Sequence, residues 1–161
     1  MTFATATIPS PTGDLTLIAS DPGLAAILWD DDPAMQACYS PRRQDRHHPV
    51  IAATIRQLDE YFAGTRTTFD LPLDPVGTAF QRDVWRALLT IPYGETRSYA
   101  DIARAIGRPT ATRAVGAANG RNPVSLLVPC HRIIGANGRL TGYAGGMARK
   151  EYLLRLEGAL L

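Results

Sequence analysis

SYADIARAIGRPTATRAVGAAN, residues 98–119, reads as helix, turn, helix. Ser98 caps a short helix to Ile106, and Gly107 ends it. Arg108-Pro-Thr makes the turn, and a second helix runs from about Ala111 to Asn119. Such corners occur in many small proteins and also build the helix-turn-helix that meets nucleic acid. The surrounding charge favours the second setting. Seventeen Lys+Arg against fifteen Asp+Glu leave a formal net charge of only +2. Residues 1–75, however, hold five basic against ten acidic side chains, and residues 76–161 hold twelve against five. A basic half suits a polyanionic partner, although two lobes of opposite charge that attract each other would split the charge the same way.

Upstream, the chain changes period. Phe3 to Ile8, Leu15 to Ala19 and Leu24 to Trp29 are β-rich runs broken by Pro-Thr-Gly and Asp-Pro-Gly, and are predicted as strands. Asp30 to Arg46 is polar and proline-bearing and is predicted as a loop; His47 and His48 beyond it are read as surface histidines. Pro49 opens a helix with Ile51, Ile55, Leu58 and Phe62 on one face and Gly64 as its stop. Thr67 to Leu71 is predicted to return as a strand. The proline-rich link at 71–78 sets a boundary between a structural N-terminal lobe, 1–75, and a second lobe, 76–161. The fold class expected is α+β: an α/β N-terminal lobe with a small, mainly antiparallel sheet, then a mostly helical lobe carrying the helix-turn-helix.

The second lobe opens with a helix capped by Thr78, with Gln81 completing a capping box and Phe80, Val84 and Leu88 buried, Trp85 and Leu89 beside them. Residues 123–129 are apolar and bounded by prolines, consistent with a buried extended segment. Asn137-Gly138 signals a type I′ hairpin between Ile133-Ile134 and Arg139-Leu140. A glycine-rich loop, Thr141 to Gly146, precedes a last helix from about Ala148 to Leu156. No apolar run approaches the ~20 residues that cross a bilayer, and Met1 to Ser10 lacks the basic start and apolar stretch of a secretory signal, so the cytoplasm is the expected location. Two cysteines, Cys38 and Cys130, and three histidines have no metal-ligand spacing; no metal is expected, and in a reducing compartment no disulfide.

Cys130 carries the chemistry. It lies between Pro129 and His131, directly after the buried run. A thiolate is the reactive form of cysteine, and a neighbouring base, cation or helix N-terminus produces it. His131 is the nearest base, but neighbours on an extended chain point to opposite faces, so a sharp bend or a bridging water is required. Glu157, on the last helix, could orient the imidazole and complete a Cys–His–Glu relay, a contact that sequence alone does not establish. A buried, inert cysteine is the commoner fate of a lone one.

Several segments together resemble the O6-alkylguanine–DNA alkyltransferases: Ile91-Pro-Tyr-Gly-Glu-Thr, Ser98-Tyr99, Arg113-Ala-Val-Gly, Asn122-Pro123, Pro129-Cys130-His131-Arg132, Thr141-Gly-Tyr-Ala-Gly-Gly and Lys150-Glu-Tyr-Leu-Leu up to Glu157-Gly158. The resemblance covers roughly residues 78–158. It implies that Cys130 accepts an alkyl group irreversibly, once per molecule, from O6-alkylguanine, and from O4-alkylthymine, in duplex DNA. It implies that His131, through water, and Glu157 remove the thiol proton, that Asn122 holds the active-site turn, and that Tyr99 lies near the target phosphate and base and donates a proton to the departing guanine. Arg113 would fill the space of the flipped nucleotide, with Ala114, Ala118 and Arg121 also at the DNA. Backbone groups of Val128 and Cys130 would read the guanine edge, with Tyr143, Ala144 and Gly145 in the pocket wall. No cofactor is implied; the partner is double-stranded DNA bearing the lesion, with no membrane, and the chain is expected to act as a monomer. Three rivals share some of these features: a relative that flags lesions without repairing them, a Cys–His hydrolase or acyltransferase, and a helix-turn-helix regulator.

Overall fold

The computed structural model describes residues 2–140, 143 and 145–160. They form two compact units, residues 1–76 and 77–161. In the first unit β1 (Phe3–Ile8), β2 (Leu15–Ala19) and β3 (Leu24–Trp29) form an antiparallel meander. Its turn residues sit where the sequence punctuates it, with Gly13 at a φ of 111°. Two elements arise where a loop was expected. Helix α1 (Pro33–Ala37) is capped by Asp32, whose carboxylate accepts from the Met35 N–H. Strand β4 (Arg42–Gln44) then pairs parallel to β1, giving the sheet order β3-β2-β1-β4. All three β4 residues are exposed, so this edge strand has no apolar alternation to betray it.

Every residue of β2 and β3 is buried. Helix α2 (Pro49–Phe62) packs on β1 and β2 with Ile51, Leu58 and Tyr61. Elsewhere in the unit, Ile18, Ala26 and Leu28 cluster with Tyr39, and Met35 of α1 packs against them. His48 is not simply a surface residue: its Nδ1 accepts the Val50 N–H at 3.2 Å and caps α2. The strand expected at 67–71 does not form. The Gln57 side chain takes its pairing instead, donating to the Asp70 C=O at 3.0 Å and accepting its N–H at 2.9 Å.

In the second unit α3 (Ala79–Leu88) begins at the Thr78–Gln81 capping box. It buries Val84, Trp85 and Leu88, while Leu89, expected beside them, is 48% exposed. The corner follows as α4 (Tyr99–Ala105), capped reciprocally by Ser98 and Asp101, and α5 (Thr112–Gly120), with Gly107 at a φ of 74° ending the first helix. Helices α3, α4 and α5 pack on one another, and the Trp85 indole N–H donates to the Ala118 C=O at 2.9 Å. A short strand β5 (Arg97–Ser98) pairs parallel with β6 (Ile133–Ile134), tying the start of α4 to the chain that leaves Cys130. The hairpin expected at 137–138 is a different turn. Gly138 alone has a positive φ, 80°, whereas type I′ needs two such residues. The Gly138 N–H returns to the Gly135 C=O at 2.9 Å and the Gly135 N–H to the Arg139 C=O at 2.8 Å, as in a tight turn closed by a glycine bulge. Helix α6 (Met147–Leu156) completes the unit, and Glu157 is its C-cap. Among the described residues no helix is long and apolar enough to cross a membrane.

Candidate active site

The run at 123–129 is buried, as its composition demands, but it coils instead of extending. The Val128 N–H donates to the Val124 C=O at 3.0 Å, and Leu126 adopts a φ of 76°. Asn122 clasps both ends: its Oδ1 accepts the Val124 N–H at 3.0 Å, and its Nδ2 donates to the Val128 C=O at 2.8 Å. Buried backbone groups need partners, and here an internal turn and one amide side chain supply them.

Cys130 then opens a 3-10 turn, Cys130–Arg132, and is 2% exposed. The bend matters because consecutive side chains in such a turn lie about 120° apart rather than on opposite faces. His131 points inward, fully buried, and its Nε2 lies 2.8 Å from Glu157 Oε2. Arg132 grips the same carboxylate, Nε to Oε1 at 2.7 Å and Nη2 to Oε2 at 3.1 Å. Its Nη1 donates to the Ile91 C=O at 2.6 Å. The guanidinium also lies 5.8 Å from the centre of the Tyr93 ring. Nδ1 of His131 is buried and has no hydrogen-bond partner among the described residues.

Burial pushes the Cys130 thiol above its ordinary value; Asn122, Tyr143 and the charge of Lys150 oppose that shift without cancelling it. The resting group is therefore a thiol, and a base is required to use it. Burial also pushes His131 below its ordinary value, against the pull of Glu157 and with the push of Arg132 and Lys150. His131 is thus neutral, and a donor to Glu157 through Nε2 if the carboxylate is ionised. Burial disfavours the Glu157 charge, but the hydrogen bonds from His131 and Arg132 outweigh it and hold the carboxyl at about 2.

The other expected site residues fall in varied places. Tyr99, half-buried, packs beside Gly116 of α5, where an added Cβ would lie 3.7 Å from its ring. Arg113 and Ala114 are exposed on α5, and Arg121 is exposed just after it. Ala118 is a correction: at 3% exposure it faces the core, so it is not a surface contact. The Val128 carbonyl accepts from Asn122 Nδ2 and, at 2.7 Å, from the Cys130 N–H, within the turn that presents the thiol. Tyr143 faces the thiol, and Gly145 is buried nearby in sequence. Ala144 lies outside the described residues, as do Thr141 and Gly142.

Three residues that sequence reasoning left without a role belong to the site. Asn119 donates to the Cys130 C=O at 3.4 Å. Arg132 is the clamp on Glu157. Lys150, fully buried, donates to the Ile133 C=O, and burial lowers it to about 8 while the neighbouring Cys130 opposes that shift. A signal for Lys150 existed: residues 150, 153, 154 and 157 share the inward stripe of α6, so Lys150 and Glu157 occupy positions that otherwise carry leucine. Among the described residues no group of three or more His, Cys, Asp or Glu side chains is arranged to hold a metal ion.

A helical corner beside a buried thiol, base and carboxylate defines a nucleophilic-cysteine unit built on a helix-turn-helix. Residues 79–159 match the sequence model described as 6-O-methylguanine DNA methyltransferase, DNA binding domain, and residues 4–75 match that of its ribonuclease-like domain. The chain is 53% identical over 153 residues to a methylated-DNA–protein-cysteine methyltransferase of Mycolicibacterium paratuberculosis, covering 94% of this chain and 90% of that protein. It is 48% identical over 150 residues to the protein of the same name in Methanosarcina acetivorans, covering 93% and 95%. The crystal structure of Mycobacterium tuberculosis OGT in complex with DNA superposes with a TM-score of 0.87 at 49% identity, covering 97% of this chain and 93% of that one. The chain belongs to the 6-O-methylguanine DNA methyltransferase family.

Proposed function

We propose that this protein repairs O6-alkylguanine in duplex DNA by moving the alkyl group to Cys130, once per molecule. The observation that carries this reading is the buried thiol set in one turn with the hydrogen-bonded His131–Glu157 pair. His131, through a water molecule, takes the thiol proton at Nδ1. The sulfur then displaces the alkyl carbon: a C–S bond forms, the C–O6 bond breaks, and the electron pair leaves with the guanine oxygen. Tyr99 supplies the proton that the departing base needs. Glu157 stabilises the imidazolium that forms, as an oriented carboxylate does in a triad. A thioether does not return the alkyl group to water, so no second turnover follows. O4-alkylthymine offers the same alkyl–oxygen bond and is proposed as a second substrate.

The modified base must leave the stack to reach a buried sulfur, at a cost of about a few kcal/mol. Arg113 is exposed on α5 and suits the gap the base leaves, since a guanidinium both stacks and hydrogen-bonds. Ala114, also exposed, leaves room for close approach, and Arg121 adds charge. The second unit is proposed as the DNA-binding and acceptor domain and the first as structural, with the monomer as the working form and the cytoplasm, where genomic DNA is reached, as its location.

Intact-protein mass spectrometry after incubation with a duplex holding one O6-methylguanine tests the reading. A gain of about fourteen daltons, one methylene, mapped to the Cys130 peptide and saturating at one per chain is expected. A bound duplex without a mass change marks a lesion-flagging protein instead.

A further inference from the structure

A buried histidine hydrogen-bonded to a carboxylate has a standing problem as a base. The carboxylate favours the protonated imidazole, and an imidazolium has no lone pair to accept a thiol proton. The turn after Cys130 contains an answer. Arg132 meets both oxygens of Glu157, at 2.7 and 3.1 Å, one of them the oxygen His131 uses. It is anchored on its far side by the Ile91 carbonyl and the Tyr93 ring. Its side chain is 8% exposed and that of Glu157 is fully buried, so the pairing is little screened by solvent.

We propose that Arg132 is a positioning residue for the alkyl transfer: by neutralising Glu157 it keeps His131 an uncharged imidazole with its proton on Nε2 and Nδ1 ready to accept. This rests on the reading of Cys130 as alkyl acceptor. The charge arithmetic follows from the neighbours. Glu157 alone would pair with an imidazolium; Glu157 with Arg132 is already a closed ion pair and needs only a hydrogen-bond donor. Lys150, reaching the same turn from α6, adds a second positive charge that disfavours the imidazolium. Cys130 is a resting thiol and contributes none. Tyr93 faces the Arg132–Glu157 pair, and its hydroxyl donates to the Leu156 C=O at 3.2 Å; Tyr143 faces the thiol. The charged residues of α3, which also packs on this turn, are Arg82, Asp83 and Arg86, and all three are exposed. Only when the thiol has surrendered its proton does a new negative charge appear to balance the imidazolium, so protonation of His131 is tied to formation of the thiolate.

The experiment uses the full chain, with nitrogen NMR of labelled histidine alongside single-turnover alkyl transfer as a function of pH. In the unaltered protein at pH 7 His131 should show a protonated Nε2 and a bare Nδ1; an imidazolium, or the opposite tautomer, would overturn the proposal without any variant being made. In Arg132→Gln the His131 titration should move up by about one pH unit or more, and the acid limb of the rate profile should move with it. On that acid limb transfer would then be roughly tenfold slower at a given pH and would recover as pH rises past the shifted titration. Arg132→Lys, which keeps the charge, should retain the original limb. A uniform rate loss with an unmoved profile means that Arg132 merely holds the fold, and overturns the proposal. Should Arg132→Gln fail to fold, the tautomer of the unaltered protein and the limb in Arg132→Lys still decide. Absence of any alkyl transfer in the unaltered protein would remove the functional reading, whereas the NMR titration reports on Arg132 independently.

Discussion

At Leu126 two effects of comparable size compete. Its φ of 76° is one that a side chain adopts only at a cost of about 1–2 kcal/mol, yet the same side chain is 1% exposed, and emptying a buried leucine site costs about 2–5 kcal/mol. Leu126→Gly should therefore destabilise the protein despite relieving the backbone, by about 1–3 kcal/mol in urea unfolding; a gain in stability would show that the strain dominates. Cys130→Ala removes the acceptor but no charge. It should show no mass gain with alkylated duplex while binding that duplex as before, and repair by this variant would exclude Cys130 as acceptor. The residue scale is also where the sequence was least legible. Cys130, His131 and Glu157 were identifiable by chemical type, and Asn122 by resemblance. Arg132 and Lys150 were passed over because charged residues are read as solvated by default, and only packing reveals that these two are not. Ala118 misled in the other direction, since it turns to the core.

Among the elements, those written in local chemistry were legible. The meander strands, the capping boxes of α3 and α4, and the glycine stop of α4 each rest on signals within a few residues. Elements defined by distant pairing were not. Strand β4 is exposed and polar, β5 and β6 are two residues each, and the 67–71 strand was displaced by a side-chain amide from α2. Helix α5 raises a functional question at this scale. It carries its exposed residues, among them Arg113, on one side and Val115, Ala118 and Asn119 on the other. If Arg113 fills the gap of a flipped base, Arg113→Ala should slow repair of duplex by about tenfold or more, given an extrusion cost of a few kcal/mol. Reaction with free O6-benzylguanine, which needs no extrusion, should change far less. Equal losses on the two substrates would remove that role. The turn at 92–95 matters to the site in a different way: Gly94 has a φ of 84°, and a Cβ there would meet the Glu157 C=O at 3.1 Å, so only glycine lets this turn lie so close to the end of α6.

Across the whole molecule, charge sets both binding and stability. DNA affinity through the basic second half should fall roughly tenfold or more between about 50 and about 200 mM salt, as released counterions lose their advantage; a flat response would point to a different contact surface. The buried groups make stability depend on pH in two separate windows. Glu157, held at about 2 against an ordinary 4.5, stabilises the fold above pH 4.5, and that contribution is lost as pH falls toward 2. His131, held below its ordinary 6.5, adds to the loss once pH drops under that value. Lys150, at about 8 against 10.5, acts in the alkaline range: the unfolded chain binds the extra proton there, so this group makes stability rise from pH 8 to 10.5, while the Cys130 thiol, held above its ordinary 9.0, contributes the opposite slope above that value. Urea midpoints measured across pH should show the acid slope, and Glu157→Gln should flatten it below pH 4.5. An unchanged acid slope in that variant would place the acid sensitivity elsewhere.

Lys150 has a practical consequence as well. It is the single lysine in a chain with sixteen arginines, and it is fully buried. Amine-directed reagents therefore find no exposed lysine side chain on the folded molecule, so an activated ester should leave Lys150 unlabelled while the fold holds. Label on Lys150 would appear only when α6 opens, which turns its labelling into a gauge of unfolding. By the same token, acetyl or ubiquitin-like tags that require a lysine side chain have no purchase on the native protein, and whatever removes spent copies by such tagging must first unfold them.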